Sequence, residues 1–226
     1  VAWAAEGTVL MWLSFNLRMA QLRAFSYAVF AIVVVRLLFF DTTIDPITFR
    51  PVINERFLAF VLAIAAMYVS GYLLWRGRDS LRKLEKDTWF VYPVFVVAAN
   101  LFSLWLLSAE VIAYFNSRLD DLTFQERFGA TGRGLRNAQN LSLTALWALY
   151  AAALLAVGLV KQARVVRLAA LGLLVIPIAK VFVYDVFTLE RVYRGAAFIG
   201  LGILLLVGGY IYQRYGKVVK GFLLAK

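Results

Sequence analysis

Two charged pairs with the same spacing lie within apolar stretches of the chain. Arg36 precedes Asp41 by five residues, Lys180 precedes Asp185 by five, and the residues between them are apolar in both cases. A charge inside hydrocarbon costs roughly 2.5–3.5 kcal/mol on insertion scales, so such residues are candidates for function. Their chemistry would be ionic: the two cations could bind an anionic lipid headgroup or substrate. The alternative is that their long side chains reach the membrane interface and pair with nearby acids.

Few other residues could support a reaction. The chain contains no Cys and no His, which excludes disulfides, thiolate nucleophiles, imidazole acid–base chemistry and most zinc or haem ligand sets. The scattered carboxylates form no paired motif and no metal-binding constellation. The glycine-rich segment Gly129–Gly134 lacks the Gly-Lys-Ser/Thr ending of a phosphate loop, and we interpret it as a flexible linker. We expect no cofactor and no metal, and we favour a non-catalytic role.

The composition identifies the elements that must position these charges. Hydrophobic residues make up 63% of the chain and charged residues 16%, against roughly 45–50% and about 25% in soluble domains. This composition indicates an integral membrane protein with the lipid bilayer as its surroundings. The net charge of +11 is then explained by basic loops, which set orientation in the membrane, and we expect no nucleic-acid partner.

The apolar stretches predict an all-α, polytopic transmembrane helix bundle. Pro46 and Pro51 interrupt one connection, and a charged run, Arg76–Asp87, forms another. Each stretch approaches the roughly 20 residues that cross a bilayer. We predict about seven spans: Val1–Leu17, Leu22–Phe40, Phe57–Trp75, Phe90–Phe115, Leu141–Val160, Val165–Tyr184 and Ala196–Tyr212.

The distribution of Lys and Arg predicts the orientation. Most of them fall in the connections after the first, third, fifth and seventh spans, which we therefore expect to be cytoplasmic. The chain would be a multi-pass protein of the bacterial inner membrane with a cytoplasmic C-terminus. This orientation would gather charges of both signs in one outer layer, and its candidate members are Glu6, Arg36, Asp41, Glu110, Lys180, Asp185 and Arg194.

An internal repeat contains both charged pairs. A tryptophan, an arginine 20 residues later, a cation 13 further and an acid 5 further occur twice, and after a connection of different length the register returns. Residues 1–76 and 140–226 would thus be parallel three-span repeats, with residues 77–139 holding the linking span and its loops. The nine matched pairs are Trp3/Trp147, Arg23/Arg167, Arg36/Lys180, Asp41/Asp185, Arg56/Arg194, Phe60/Phe198, Gly71/Gly209, Tyr72/Tyr210 and Arg76/Arg214.

The second copy resembles a known family. The stretches Trp147–Gly158, Arg167–Leu174, Lys180–Asp185 and Phe198–Leu206 resemble the C-terminal end of bacterial polytopic membrane proteins that carry the domain of unknown function 2339. The resemblance implies a long chain of repeated spans and assigns no reaction. It also implies that these residues are a C-terminal portion of something larger, which agrees with the absence of an initiator Met.

Two functions remain in competition. The first is a membrane scaffold or accessory subunit, with other membrane subunits or upstream spans of the same chain as partners. The second is a transporter or an envelope lipid- or glycan-handling protein, with anionic lipid as a candidate ligand of the outer charged layer. A cavity lined by Arg36, Glu110 and Lys180 would favour the second function. Direct salt bridges in a closed bundle would favour the first.

Overall fold

The computed structural model describes residues 2–39, 54–77, 91–160, 164–180 and 191–224. These residues fold into α-helices, which confirms the predicted all-α class. Proline, the strongest helix breaker, occurs among them only as Pro93 and Pro177, so long helical runs are favoured. The helices are α1 (Ala2–Asn16), α2 (Ala20–Phe39), α3 (Glu55–Arg76), α4 (Val91–Asp120), α5 (Phe124–Phe128), α6 (Ala130–Val160), α7 (Arg164–Lys180) and α8 (Arg191–Leu224).

Four of the described helices are long and apolar enough to cross a membrane. They are α2, α3, α4 and the Ala130–Gly158 part of α6. Helix α1 has 15 residues, fewer than the roughly 20 that span a hydrocarbon core, and the apolar part of α7, Ala170–Lys180, is shorter still. The membrane-protein class is thus supported by several helices, and the count of seven spans stays a prediction.

The first compact unit, which we call unit 1, contains residues Val1–Asp120. Helix α1 packs against α2 and α3, and α3 packs against α4. Large side chains fill the centre, with Met11, Phe30, Phe60 and Met67 almost fully buried. Helix α3 is therefore enclosed from two sides, by α1 and by α4.

The second compact unit, unit 2, contains residues Asp121–Lys226. Here α6 is the common partner, because α5, α7 and α8 all pack against it. Leu201 of α8 is buried against Leu141 of α6 and Ile178 of α7. Pro177 lies inside α7 and is also buried. In this unit α6 takes the place that α1 has in unit 1.

The ends of α3 show why this helix begins and stops where it does. The Asn54 side chain accepts a hydrogen bond from the Phe57 amide at 2.7 Å, which satisfies a free N–H of the first turn. Glu55 and Arg76 lie at the ends where the helix dipole favours their charges. At the far end the Gly77 amide donates to the Leu73 carbonyl. Any Cβ at Gly77 would collide with the Phe15 ring, so a side chain there would displace that ring from its place between α1 and α3.

The flexible linker predicted for Gly129–Gly134 is wrong, because α6 already begins at Ala130. Glycine costs a helix only about 1 kcal/mol relative to alanine, and here local packing favours it. The backbone of α5 passes so close that a Cβ at Gly132 would meet the Arg127 carbonyl. The capping box of α5 is a second sign that the chain is helical here. In it the Thr123 amide and hydroxyl donate hydrogen bonds to the Glu126 carboxylate.

Candidate functional site

A buried ion pair joins α3 to α4 in unit 1. Arg56 Nη2 donates to Glu110 Oε1 at 2.9 Å, and the two side chains are only 9% and 11% exposed. Asn54 Nδ2 donates to the same oxygen at 3.0 Å. One carboxylate oxygen thus receives two donors from the start of α3. The pair is direct, and no ligand is needed to neutralise either charge.

The position of the Glu110 carboxylate beside a helix start favours its negative charge. Asn54 Oδ1 accepts a hydrogen bond from the first turn of α3, and Asn54 Nδ2 donates one to Glu110. A helix N-terminus carries a partial positive charge, so it favours a nearby carboxylate by about 0.3–1 kcal/mol. The Glu110 carboxylate is therefore stabilised both by the Arg56 guanidinium and by the N-terminal end of α3, the helix that carries Arg56. Separating α3 from α4 would expose both charges to a medium of low dielectric constant.

Arg36 lies near the same end of α3 and faces α1. Its guanidinium lies 5.4 Å from the centre of the Trp3 ring, within the range of a cation–π contact. A cleft beside it has a volume of about 10 Å³, enough for about one water molecule. This space is too small for a lipid headgroup or a sugar. Its walls are the side chains of Trp3, Ala4, Val33, Arg36, Leu37, Ala59 and Ala63.

Lys180 makes a corresponding contact in unit 2. Its Nζ atom donates to the Asn140 carbonyl at 3.0 Å and to Thr144 Oγ1 at 2.6 Å, both on α6. In each unit, then, the cation near the end of the second repeat helix turns toward the first helix of the same predicted repeat. Arg36 meets an aromatic ring there, whereas Lys180 meets neutral oxygen atoms.

The predicted charged layer is only partly brought together. Within unit 1, Arg36 and Glu110 both lie near the N-terminal end of α3. Arg36 lines a cleft together with Ala59 and Ala63 of α3. Glu110 bonds Arg56 of the same helix. Glu6 is exposed on α1. Arg194 is half-buried near the start of α8 and has contacts of its own. Asp41 and Asp185 lie outside the described residues, so their part in the layer stays a prediction.

Comparison with known proteins gives the family but no activity. The model of the family described as "Predicted membrane protein (DUF2339)" matches residues 42–215. The chain belongs to this DUF2339 family. No curated protein and no solved structure matches it. The family confirms the expected resemblance and the membrane class, and its description names no reaction or ligand.

Sequence reasoning missed one buried cation of this DUF2339 chain. Arg23 is only 3% exposed, its Nη1 atom donates to the Ser14 carbonyl at 3.4 Å, and its guanidinium lies 5.1 Å from the centre of the Phe15 ring. Its position at the start of the second predicted span, beside a connection expected to be cytoplasmic, suggests a role in orientation. Its recurrence as Arg167 was the available signal that it does more than set orientation.

Small polar side chains hold α1 against its neighbours. Ser26 Oγ donates to the Gly7 carbonyl at 2.7 Å, from α2 to α1. Ser70 of α3 donates to Thr8 of α1 at 3.4 Å. In membranes such residues let helices approach closely and replace the hydrophobic effect, which is absent between apolar surfaces in lipid. These polar contacts of unit 1 thus join its helices to one another.

Proposed function

We propose that the chain is a non-catalytic packing module, a scaffold or accessory part of a larger bacterial inner-membrane protein or complex. The observation that carries this proposal is the Arg56–Glu110 pair. A charge kept for a ligand would face a cavity, but Glu110 is bonded to two groups of its own unit. The charge therefore stabilises the contact between α3 and α4.

The other predicted cations support the same role. Arg36 is engaged with an aromatic ring beside a cleft for about one water. Lys180 bonds two oxygen atoms of α6. Each contact joins two helices of one unit. The charged residues would therefore fix how helices pair, and the exposed apolar faces would meet lipid or neighbouring helices.

The packing order also supports duplication as the origin of the module. In unit 1 the first helix packs against the second and the third; in unit 2, α6 packs against α7 and α8 in the same way. Together with the nine matched positions, this pattern favours two parallel copies of a three-helix unit. Repeats of this kind commonly act as packing units. The C-terminus would lie in the cytoplasm, where basic residues concentrate.

The test is native mass spectrometry of the protein purified in gentle detergent, with every copurifying protein and lipid identified. We expect stoichiometric membrane-protein partners, and we expect Arg36→Leu and Lys180→Leu to leave the set of bound lipids unchanged. A matched control is Ile203→Leu, at an exposed apolar site. The competing lipid- or glycan-handling function predicts instead one anionic molecule that is retained by the wild type and lost in both variants. That result would overturn the proposal.

A further inference from the structure

Helices α3 and α8 correspond to one another in the repeat. Arg56, Phe60 and Gly71 of α3 match Arg194, Phe198 and Gly209 of α8, and the same register aligns Met67 with Leu205. These positions lie on one side of an α-helix, because they are separated by 4, 7 and 4 residues. The two helices can therefore be compared face by face.

One side of the two helices is buried in both. Ala63 of α3 is 2% exposed and lines the cleft with residues of α1. Its counterpart, Leu201 of α8, is 7% exposed and packs on Leu141 of α6. The contact with the first helix of each repeat is thus present in both units.

The neighbouring side is buried in α3 and exposed in α8. Phe60 is 1% exposed, whereas Phe198 is 37% exposed; Met67 is 1% exposed, whereas Leu205 is 50% exposed. A Cβ added at Gly71 would touch the Phe95 side chain at 3.5 Å, but one added at Gly209 would meet no atom within 4 Å. The same residue types therefore have a covered environment in one unit and an open one in the other.

Helix α4 is what covers this side in unit 1. The Phe60 and Phe102 rings lie 6.1 Å apart in an edge-to-face contact, and Phe95 lies against Gly71. Glu110 reaches Arg56 at the end of the same stripe. The residues of α4 on this stripe are all buried: Phe95, Ala99, Phe102, Leu106 and Glu110. Helix α4 lies outside both predicted repeats, so unit 2 has no copy of it.

We infer that the open face of α8, defined by Phe198, Leu205 and Gly209, is the docking site for a membrane-spanning helix from outside these 226 residues that has the chemistry of α4. This inference rests on the proposed function and names the partner of the packing module. Two aromatic side chains seven residues apart would pack against the exposed part of Phe198 and fill the space over Gly209. A carboxylate two turns further would lie beside Arg194 and add to the contacts which that residue already makes.

A second copy of the chain fits this face less well. The acidic, aromatic stripe of α4 is already buried against α3 in its own unit. The exposed side of α4 presents Val94, Leu101 and Trp105 along the span, and its exposed acid, Asp120, lies only at the C-terminal end of the helix. A second copy would have to release its own α4 before offering the matching surface. A separate helix with the same pattern can dock without that cost.

A synthetic peptide with the sequence of residues 91–120 can serve as the probe. The chain has no Cys, so Ile203→Cys provides one labelling site for a fluorescence donor, and the peptide carries the acceptor. Energy transfer is measured in bilayer nanodiscs against peptide concentration, with unlabelled peptide as competitor. We expect saturable transfer that the unlabelled peptide abolishes. Peptide with Phe102→Ala should bind at least tenfold more weakly, and peptide with Leu101→Ala should bind as well as the original.

Two matched variants of the protein locate the binding site. Gly209→Leu fills the open face, and Gly200→Leu places the same side chain on the opposite side of α8; neither glycine has an atom within 4 Å of its Cβ position. Gly209→Leu should weaken peptide binding at least tenfold, and Gly200→Leu less than twofold. Equal effects of the two variants, or transfer that does not saturate, would overturn the docking site. Retention of stoichiometric membrane partners by the purified wild type is a separate result, so failure here would leave the packing function standing.

Discussion

Unit 1 packs two helices, α1 and α4, against α3, whereas among the described residues of unit 2 only α6 packs extensively against α8, the helix that the predicted repeat matches to α3. Ala63 and Leu201 are buried in both, but Met67 is buried and its counterpart Leu205 is half-exposed. Among the described residues, the difference follows from the presence of α4 beside α3. The difference indicates that a helix of this protein is buried on both sides only where a second helix packs against it. Lipid is as apolar as the side chains of such a helix, so the hydrophobic effect alone does not bury the second side.

The largest expected effect comes from truncating the matched phenylalanines. Phe60→Ala should lower the free energy of unfolding in detergent by about 4 kcal/mol, since removing a buried aromatic ring leaves a cavity. Phe198→Ala should cost less than about 1 kcal/mol, because over a third of that side chain is already exposed. Unfolding by SDS titration of the purified chain measures both. Equal losses would show that the two faces are packed alike.

The ion pair should give the second largest effect. Glu110→Gln should destabilise unit 1 by about 3 kcal/mol, because Arg56 would lose its carboxylate while remaining in a low-dielectric site. Lys180→Met should cost about 1 kcal/mol for the loss of its hydrogen bonds to the two neutral oxygen atoms of α6. The control is Arg56→Met combined with Glu110→Gln, which should recover most of the loss. Failure of the double variant to recover stability would show that the pair is not the source of the effect.

Two glycines provide a smaller contrast. Gly77→Ala should lower the free energy of unfolding by about 1–3 kcal/mol, because the new methyl group would collide with the Phe15 ring. Gly209→Ala should instead be neutral or stabilise by up to about 1 kcal/mol, since alanine favours a helix and the space is open. The same SDS titration compares them. Destabilisation by Gly209→Ala would mean that the face is already covered.

The smallest expected effect concerns the capping box of α5. Hydrogen bonds from the Thr123 hydroxyl and amide lower the pKa of Glu126 below its ordinary value of 4.5. A lowered pKa in the folded state contributes stability above the unfolded pKa, and this contribution is lost as pH falls through the folded pKa. Carboxyl NMR titration should therefore show Glu126 titrating below 4.5, and Thr123→Ala should raise its pKa. An unchanged value in the variant would contradict the capping box.

The general architecture could be predicted from sequence, and the pairing of helices could not. Long apolar stretches with few charges require helices in a bilayer, since unpaired backbone groups are costly there. The repeat placed Arg56 and Arg194 at equivalent positions. It could not show that Glu110 pairs with Arg56, because Glu110 belongs to the helix between the repeats, and its partner depends on packing in three dimensions.

Local contacts explain the remaining differences. Gly129–Gly134 suggested a flexible linker, but the close approach of α5 at Gly132 makes glycine the residue that a helix needs there. Arg23 suggested a topological signal, but it is buried beside Phe15. Both errors came from interpreting a residue type by its average behaviour. The neighbours that changed each role lie on other helices or turns.

Photocrosslinking from α8 in the native membrane would identify the molecule that covers its open face. Benzoylphenylalanine would replace Leu205 on the open face and, as a matched control, Ile203 on the exposed side away from it. At position 205, mass spectrometry of the adducts should find a membrane-spanning protein segment that contains an acid and two aromatic residues. At position 203 it should find lipid. Lipid adducts at both positions, or a second copy of this chain at position 205, would contradict the docking of an external helix on the open face of α8.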